Sequence, residues 1–371
     1  MTTRTERVIS ADSHVREPVD LWWNVLGSRF GERTPRLLHE HAGRQGRFFY
    51  TGLAGRDVCR IGDIETEQKG RIDDDLARAG WDPAARVRFQ EEARIEAEVL
   101  NPTVMTAIMQ SEHLDVVRAS AQVFNDWMTD YAAYDRKRLL AVGVTPLDDV
   151  DWAVRELERI RAKGVRSVMI HTDPPASLPP YRERVYDQFW AAAQDLDVPI
   201  TLHIITGRAV DPLLYFHTLE EHRESPRALL GLFYEIMGPL ANEIVFGQIL
   251  DRFPRLKVVC SEFEISWIPS FMYRLDQMQS ALSALVPLPK LRLSASEYLR
   301  TRVWHGTIDD PYARDVTPVI GADQVMWGSD FPHIRSIGLE AHDTLARLFA
   351  GFPPGDVAKI VHANAARVFG L

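Results

Sequence analysis

The feature that most constrains how this chain can fold is an alternation. Eight short apolar runs, at residues 7–12, 97–103, 139–147, 166–171, 199–204, 257–262, 302–308 and 324–330, are separated by longer stretches of helical period. Each run is apolar on both faces, as parallel strands covered by helices must be. Between them, DVDWAVRELERIRAKG (149–164) repeats its apolar residues at helical spacing, with an Asp to cap the start and Gly164 to end it. LDVVRASAQVFNDWMTDYAAYD, RERVYDQFWAAAQDLD, ALLGLFYEIMGPLANEIVFGQIL and DVAKIVHANAARVFGL share that spacing. Eight strands alternating with helices predict an α/β fold of the closed (β/α)8 TIM-barrel type, in preference to an open doubly wound sheet. A single barrel domain accommodates all 371 residues.

Residues 17–75 interrupt the pattern between the first strand and its return helix. They contain GRFFYTGLAGRDVCRIG, which reads as a hairpin with a glycine-containing turn. An insertion at that point leaves the C-terminal face of the barrel, as a cap over the site or as a surface hairpin.

The formal net charge of −9 argues against nucleic acid or an anionic membrane as partner. It leaves room for a small anionic substrate, because a bound metal supplies positive charge locally. The two cysteines, Cys59 and Cys260, form no CxxC pair, so neither a disulfide framework nor a thiolate zinc site is expected. Cys260, inside KVVCSE, reads as a buried small hydrophobe. No glycine-rich nucleotide loop follows a strand. With no signal-peptide core and no long apolar run, the expected location is the cytoplasm.

The chemistry collects at the ends of the runs, where barrel enzymes assemble their sites. The first ends in Asp12-Ser13-His14, the fourth in His171, the fifth in His203, the sixth in Glu262 and the eighth in Asp330, while the seventh contains His305. Residues two apart on a strand share a face, so Asp12 and His14 can reach one ion. Imidazole with carboxylate suits divalent Zn, Mn or Fe. Asp330, from the far side of the barrel closure, can bind that ion and take a proton from bound water.

ISADSHVREP, WAAAQDLDVPITLH, SEFEISWIP, MWGSDFPH and HANAARVFGL, in this order, resemble the amidohydrolase superfamily, and most closely its amidohydrolase 2 branch of metal-dependent hydrolases and decarboxylases. The resemblance implies a strand 1 metal pair at Asp12 and His14, a ligand at His203, and Asp330 as ligand and general acid or base. It implies a homodimer or larger assembly. Two departures stand out. Asp12 occupies a position usually held by His, which makes the site more anionic and leans toward Mn over Zn. Glu262 stands where the decarboxylases of the family commonly carry a histidine. The bridging lysine of binuclear members is replaced by His171, so one divalent metal ion, Zn or Mn, is expected.

Glu262 and His171 are therefore the further catalytic candidates beside Asp330. His305, His333, Arg208 and Trp22 are candidates for substrate contact, with Arg335 as a second carboxylate clamp and Trp23, Phe331 and Tyr215 as aromatic walls. His217 and His222 lie in the long loop after the fifth run. The expected substrate is a small aromatic or heterocyclic molecule reacting at a carbonyl or carboxyl carbon. With Glu262 in place of an imidazole, hydrolysis or the reverse cyclodehydration is favoured. Non-oxidative decarboxylation is the alternative, and a non-catalytic ligand-binding barrel the reading from another class.

Overall fold

The computed structural model describes residues 7–18, 20–41, 44–51, 58–60, 78–207, 231, 233–285, 287–333 and 336–371. Eight parallel strands pair in chain order: β1 (Ile9–His14), β5 (Ala97–Asn101), β6 (Leu139–Val144), β7 (Ser167–Ile170), β8 (Ile200–His203), β9 (Val258–Ser261), β10 (Val303–Thr307) and β11 (Val325–Trp327). All eight lie within two residues of the predicted starts, and helices separate them. The last strand returns to the first. Asp330 N donates to Asp12 O at 2.8 Å, His14 N donates to Phe331 O at 2.7 Å, and Ser329 N donates to Ser10 Oγ at 2.8 Å. The barrel of the sequence reading is the observed fold.

Local chemistry explains the outer layer. The helix Val150–Ala162 starts at Asp149, whose carboxylate accepts from Trp152 N at 2.9 Å, and Gly164 beyond its end has φ +104°. A side chain there would be strained, and glycine is not. The helix Leu114–Ala132 packs Val117, Ala121, Phe124 and Met128 into the core. The stretch expected to be one long helix over 228–250 is broken instead into Met237–Pro239, a wide turn at Leu240–Val245 and Ile249–Arg252. A Cβ at Gly247 would lie 2.1 Å from Glu243 O, and Gln248 takes φ +59°, so the helical path ends there.

The described part of the insertion forms a three-stranded antiparallel sheet of β2 (Arg36–His41), β3 (Arg44–Tyr50) and β4 (Val58–Arg60). β3 and β4 supply the expected hairpin, whose turn lies outside the described residues. Before it, the helix Leu21–Phe30 carries Trp22, which corrects its reading as a substrate wall. Trp22 is fully buried, donates from Nε1 to Ser120 O at 3.1 Å, and meets Phe49 edge-on. It anchors the insertion to the Leu114–Ala132 helix. Cys260 is buried as expected, with its thiol pKa pushed up by burial. Among the described residues no helix is long and apolar enough to cross a membrane.

Candidate metal centre

Asp12, His14, His203, Glu262 and Asp330, all expected from the strand ends, meet at one place. His14 Nε2 and His203 Nε2 stand 3.2 Å apart, and Asp12 Oδ1 lies 3.7 Å from each. Asp330 Oδ1 is 3.5 Å from His14 Nε2. Glu262 Oε2 is 3.4 Å from His203 Nε2 and 3.9 Å from His14 Nε2.

The tautomers follow from the backbone. His14 Nδ1 faces Pro102 O at 2.9 Å and His203 Nδ1 faces Ile204 O at 3.0 Å. A carbonyl only accepts, so each Nδ1 carries a proton. The two Nε2 atoms opposed at that distance need either a proton or a metal cation between them. Asp12 Oδ2 and Glu262 Oε2 are buried without a hydrogen-bond partner. Buried polar atoms seldom go unsatisfied without a functional reason. The donor set therefore fits a divalent metal ion.

Electrostatics point the same way. Burial, then the charges of His333 and His203, lower the His14 pKa well below the ordinary imidazole value. For His203 burial also pulls down, but the Asp12 carboxylate, helped by Glu262, carries the pKa up to about 9. Burial, and then Asp330, raise the Glu262 carboxyl well above the usual range. Like charges crowded in a dry site are what a bound cation relieves.

Asp330 and Glu262 have positive φ, +55° and +67°. Such backbone costs on the order of 1–3 kcal/mol and clusters at functional sites. At Glu262 its effect can be traced. In a parallel ladder paired residues share a face, and His203 pairs with Ser261. Regular alternation would turn residue 262 toward the helices. The left-handed residue reverses that and brings its carboxylate back to His203.

The same register corrects His305. It pairs with Cys260, not with the Ser261 face, and its Nε2 bonds Leu299 O at 3.0 Å under the helix Ala295–Thr301. Burial lowers its pKa to about 4. It is a core histidine facing away from the cluster. His171 sits just past β7 with Nε2 on Met109 O at 2.7 Å, and the clusters able to hold a metal do not include it. Burial lowers its pKa as well. Phe331 is no pocket wall either, since it stacks on Phe89 at 3.8 Å. Trp23 is exposed, beneath the Arg36 guanidinium. Arg208, Tyr215, His217, His222 and Arg335 lie outside the described residues.

His333, in contrast, reaches the centre. Its ring lies 3.9 Å from that of His14, and its Nδ1 is 2.7 Å from Asp330 Oδ1. Thr103 Oγ1 spends its proton on Val15 O at 2.7 Å, so it accepts from His333 Nε2 at 3.1 Å. His333 Nδ1 therefore lies within ion-pair reach of the Asp330 carboxylate, while burial, then the charge of His203, lowers the His333 pKa to about 3.

Sequence reasoning missed the supports. Asn101 Nδ2 donates to Asp12 Oδ1 at 2.8 Å, which aims that carboxylate. Glu17 accepts from the backbone N–H groups of Thr103, Val104 and Met105 and ties the chain after β1 to the chain after β5. The polar triplet Asn101-Pro102-Thr103 at a strand end was the available signal. Glu235 gave none. It is buried, and burial raises its pKa to about 8.

Gly328 offers a test of how tightly Asp12 is held. A Cβ there would lie 2.4 Å from Asp12 Cβ and 2.9 Å from Asp12 N. Neither neighbour is the far end of a flexible chain, so Gly328→Ala must displace Asp12. At least about a tenfold loss of metal affinity is expected, as is typical when a ligand's supports move, read by titrating the metal-free protein. Unchanged affinity would mean that Asp12 is dispensable for binding.

The family model for amidohydrolases matches residues 12–371, from the first carboxylate of the centre to the C-terminus. The chain belongs to the amidohydrolase family. Among curated relatives of this amidohydrolase are gamma-resorcylate decarboxylases. The one from Polaromonas sp. (strain JS666) is 25% identical over 303 residues, covering 77% of this chain and 86% of that one. The one from Rhodococcus jostii (strain RHA1) is 25% identical over 304 residues, covering 77% and 87%. Among solved structures, an amidohydrolase from Mycobacterium avium subsp. paratuberculosis K-10 superposes with a TM-score of 0.78 at 23% identity, covering 99% of this chain and 100% of that one. A dihydroxybenzoic acid decarboxylase from Polaromonas sp. JS666, with bound manganese and the inhibitor 2-nitroresorcinol, gives 0.68 at 18%, covering 99% and 98%. These structures share the barrel fold.

Proposed function

We propose that this amidohydrolase is a metal-dependent, non-oxidative decarboxylase of a hydroxylated aromatic acid. The observation that carries the reading is the close approach of His333 Nδ1 to Asp330 Oδ1, at 2.7 Å, beside a carboxylate and imidazole cluster. The curated relatives, decarboxylases matched over about three quarters of the chain, point to the same class. The hydrolysis or cyclodehydration favoured by the sequence reading gives way on that ground.

Asp12, His14, His203 and Asp330 would hold one divalent ion, with manganese the better match to so anionic a donor set. That ion supplies Lewis acidity and charge neutralisation for the substrate's carboxylate and adjacent hydroxyl oxygen. The protein's residues do the rest. Asp330 donates its proton to the ring carbon bearing the carboxylate, and a C–H bond forms. The C–C bond to the carboxylate then breaks, its electron pair restores the aromatic ring, and CO2 leaves. His333 Nδ1 is placed to return a proton to Asp330, with Thr103 holding its other nitrogen. The net change is one proton consumed and one CO2 released per acid.

The manganese-loaded protein is expected to release CO2 from ortho-hydroxylated benzoic acids, and chelation should abolish the release. The check is CO2 evolution across such a panel, run in deuterated water. One deuterium should enter the product at the carbon that lost the carboxylate. Turnover of amides or lactones with water oxygen in the product, and no CO2, would overturn the reading.

A further inference from the structure

We infer that Glu262 is itself a metal ligand, binding the ion beside His14 and His203. The inference rests on reading the cluster as a metal site and extends it to a position where the resemblance implied a histidine. Metal–ligand bonds of about 2.0–2.2 Å at angles between octahedral and tetrahedral put two donors on one ion about 2.8–3.6 Å apart. Two triangles of donor atoms share the His14–His203 edge of 3.2 Å. Asp12 Oδ1 completes one, 3.7 Å from each nitrogen. Glu262 Oε2 completes the other, at 3.4 and 3.9 Å. Asp12 lies just beyond that range from both nitrogens and Glu262 from one, so Glu262 approaches the ion's place as closely as Asp12 does.

Two further observations separate Glu262 from a bystander acid. Its Oε2 is buried with no hydrogen-bond partner, although Ser261 and other polar groups are near in the chain. The left-handed backbone at φ +67° departs from the strand and redirects the side chain to His203. A residue that only filled space would not need that conformation. A carboxylate in this place also changes selectivity, because oxygen-rich sites suit Mn while imidazole-rich sites suit Zn.

The experiment is a titration of the metal-free protein with Mn2+ and, separately, Zn2+, following free Mn2+ by its paramagnetic signal and both ions by calorimetry. No aromatic acid is present, so the outcome is independent of the reaction. The wild-type chain is expected to bind one Mn2+, and Glu262→Ala to bind it at least tenfold more weakly. Glu262→His should move the Zn-to-Mn affinity ratio at least tenfold toward Zn. Glu262→Gln keeps the shape and one oxygen, and should fall between wild type and Glu262→Ala, which covers the case where the alanine variant does not fold. Affinity within twofold of wild type in a folded Glu262→Ala or Glu262→Gln protein would overturn the assignment. A wild-type chain that binds neither ion would instead overturn the metal-site reading beneath it. Failure to release CO2 in the decarboxylation assay would leave the measured metal affinities, and the assignment of Glu262, standing.

Discussion

Asp330→Asn is expected to lower kcat for CO2 release by about 10²–10⁴-fold, the usual weight of a positioned general acid or base. Asparagine keeps the shape of the side chain but cannot deliver a proton to carbon. The backbone places this residue for the role. Its N–H closes the barrel onto Asp12 O, its φ of +55° turns the side chain inward, and His333 Nδ1 meets Oδ1 at 2.7 Å. Because Asp330 is also a proposed ligand, metal affinity must be measured beside the rate. Single-turnover release at saturating Mn2+ isolates proton delivery from metal loss. A variant that keeps kcat within about threefold under those conditions would remove Asp330 from the proton path.

The second large effect is on stability. Arg86 and Glu98 are completely buried, with Arg86 Nε 2.5 Å from Glu98 Oε2. Gln90 Nε2 and Ser13 Oγ also donate to that carboxylate, each at 2.9 Å. Arg86 Nη1 reaches His14 O at 2.8 Å, Nη2 reaches Phe331 O at 3.3 Å, and the guanidinium lies over the Phe331 ring. One side chain thus braces the strand that carries His14 and the loop that carries Asp330. Removing one partner of a buried pair strands the other charge, at a cost of about 3–5 kcal/mol. Arg86→Met is expected to lose that much in urea unfolding. Arg86→Met with Glu98→Leu should recover most of it, since neither charge is then left unpaired. A loss below about 1 kcal/mol for the single variant would mean that water reaches the pair.

The alternation of apolar runs with helical segments carried all eight barrel strands, because burial on both faces leaves a pattern in each run separately. The strand ends likewise carried Asp12, His14, His203, Glu262 and Asp330, since one end of a barrel gathers the C-terminal residues of every strand. Histidines could not be sorted in that way. His305 and His333 look alike in a sequence, yet one bonds Leu299 O under a helix and the other pairs with Asp330. Trp22 looked like a pocket wall because it follows the first strand, but it is buried where its indole N–H meets Ser120 O. Asn101, Thr103, Glu17 and Arg86 act through contacts 72 to 230 residues away, and only the strand-end triplet at 101–103 marks any of them locally.

The sequence by itself determined the barrel and the carboxylates and imidazoles that gather at one end of it. These are properties of short segments, written in period and in residue identity. Only the tertiary structure decided which face each histidine takes, that Glu262 turns back toward His203, and that His333 comes to face Asp330. Those outcomes depend on strand register, on single left-handed residues and on backbone carbonyls that fix imidazole tautomers, and such relations exist only once distant segments are brought together.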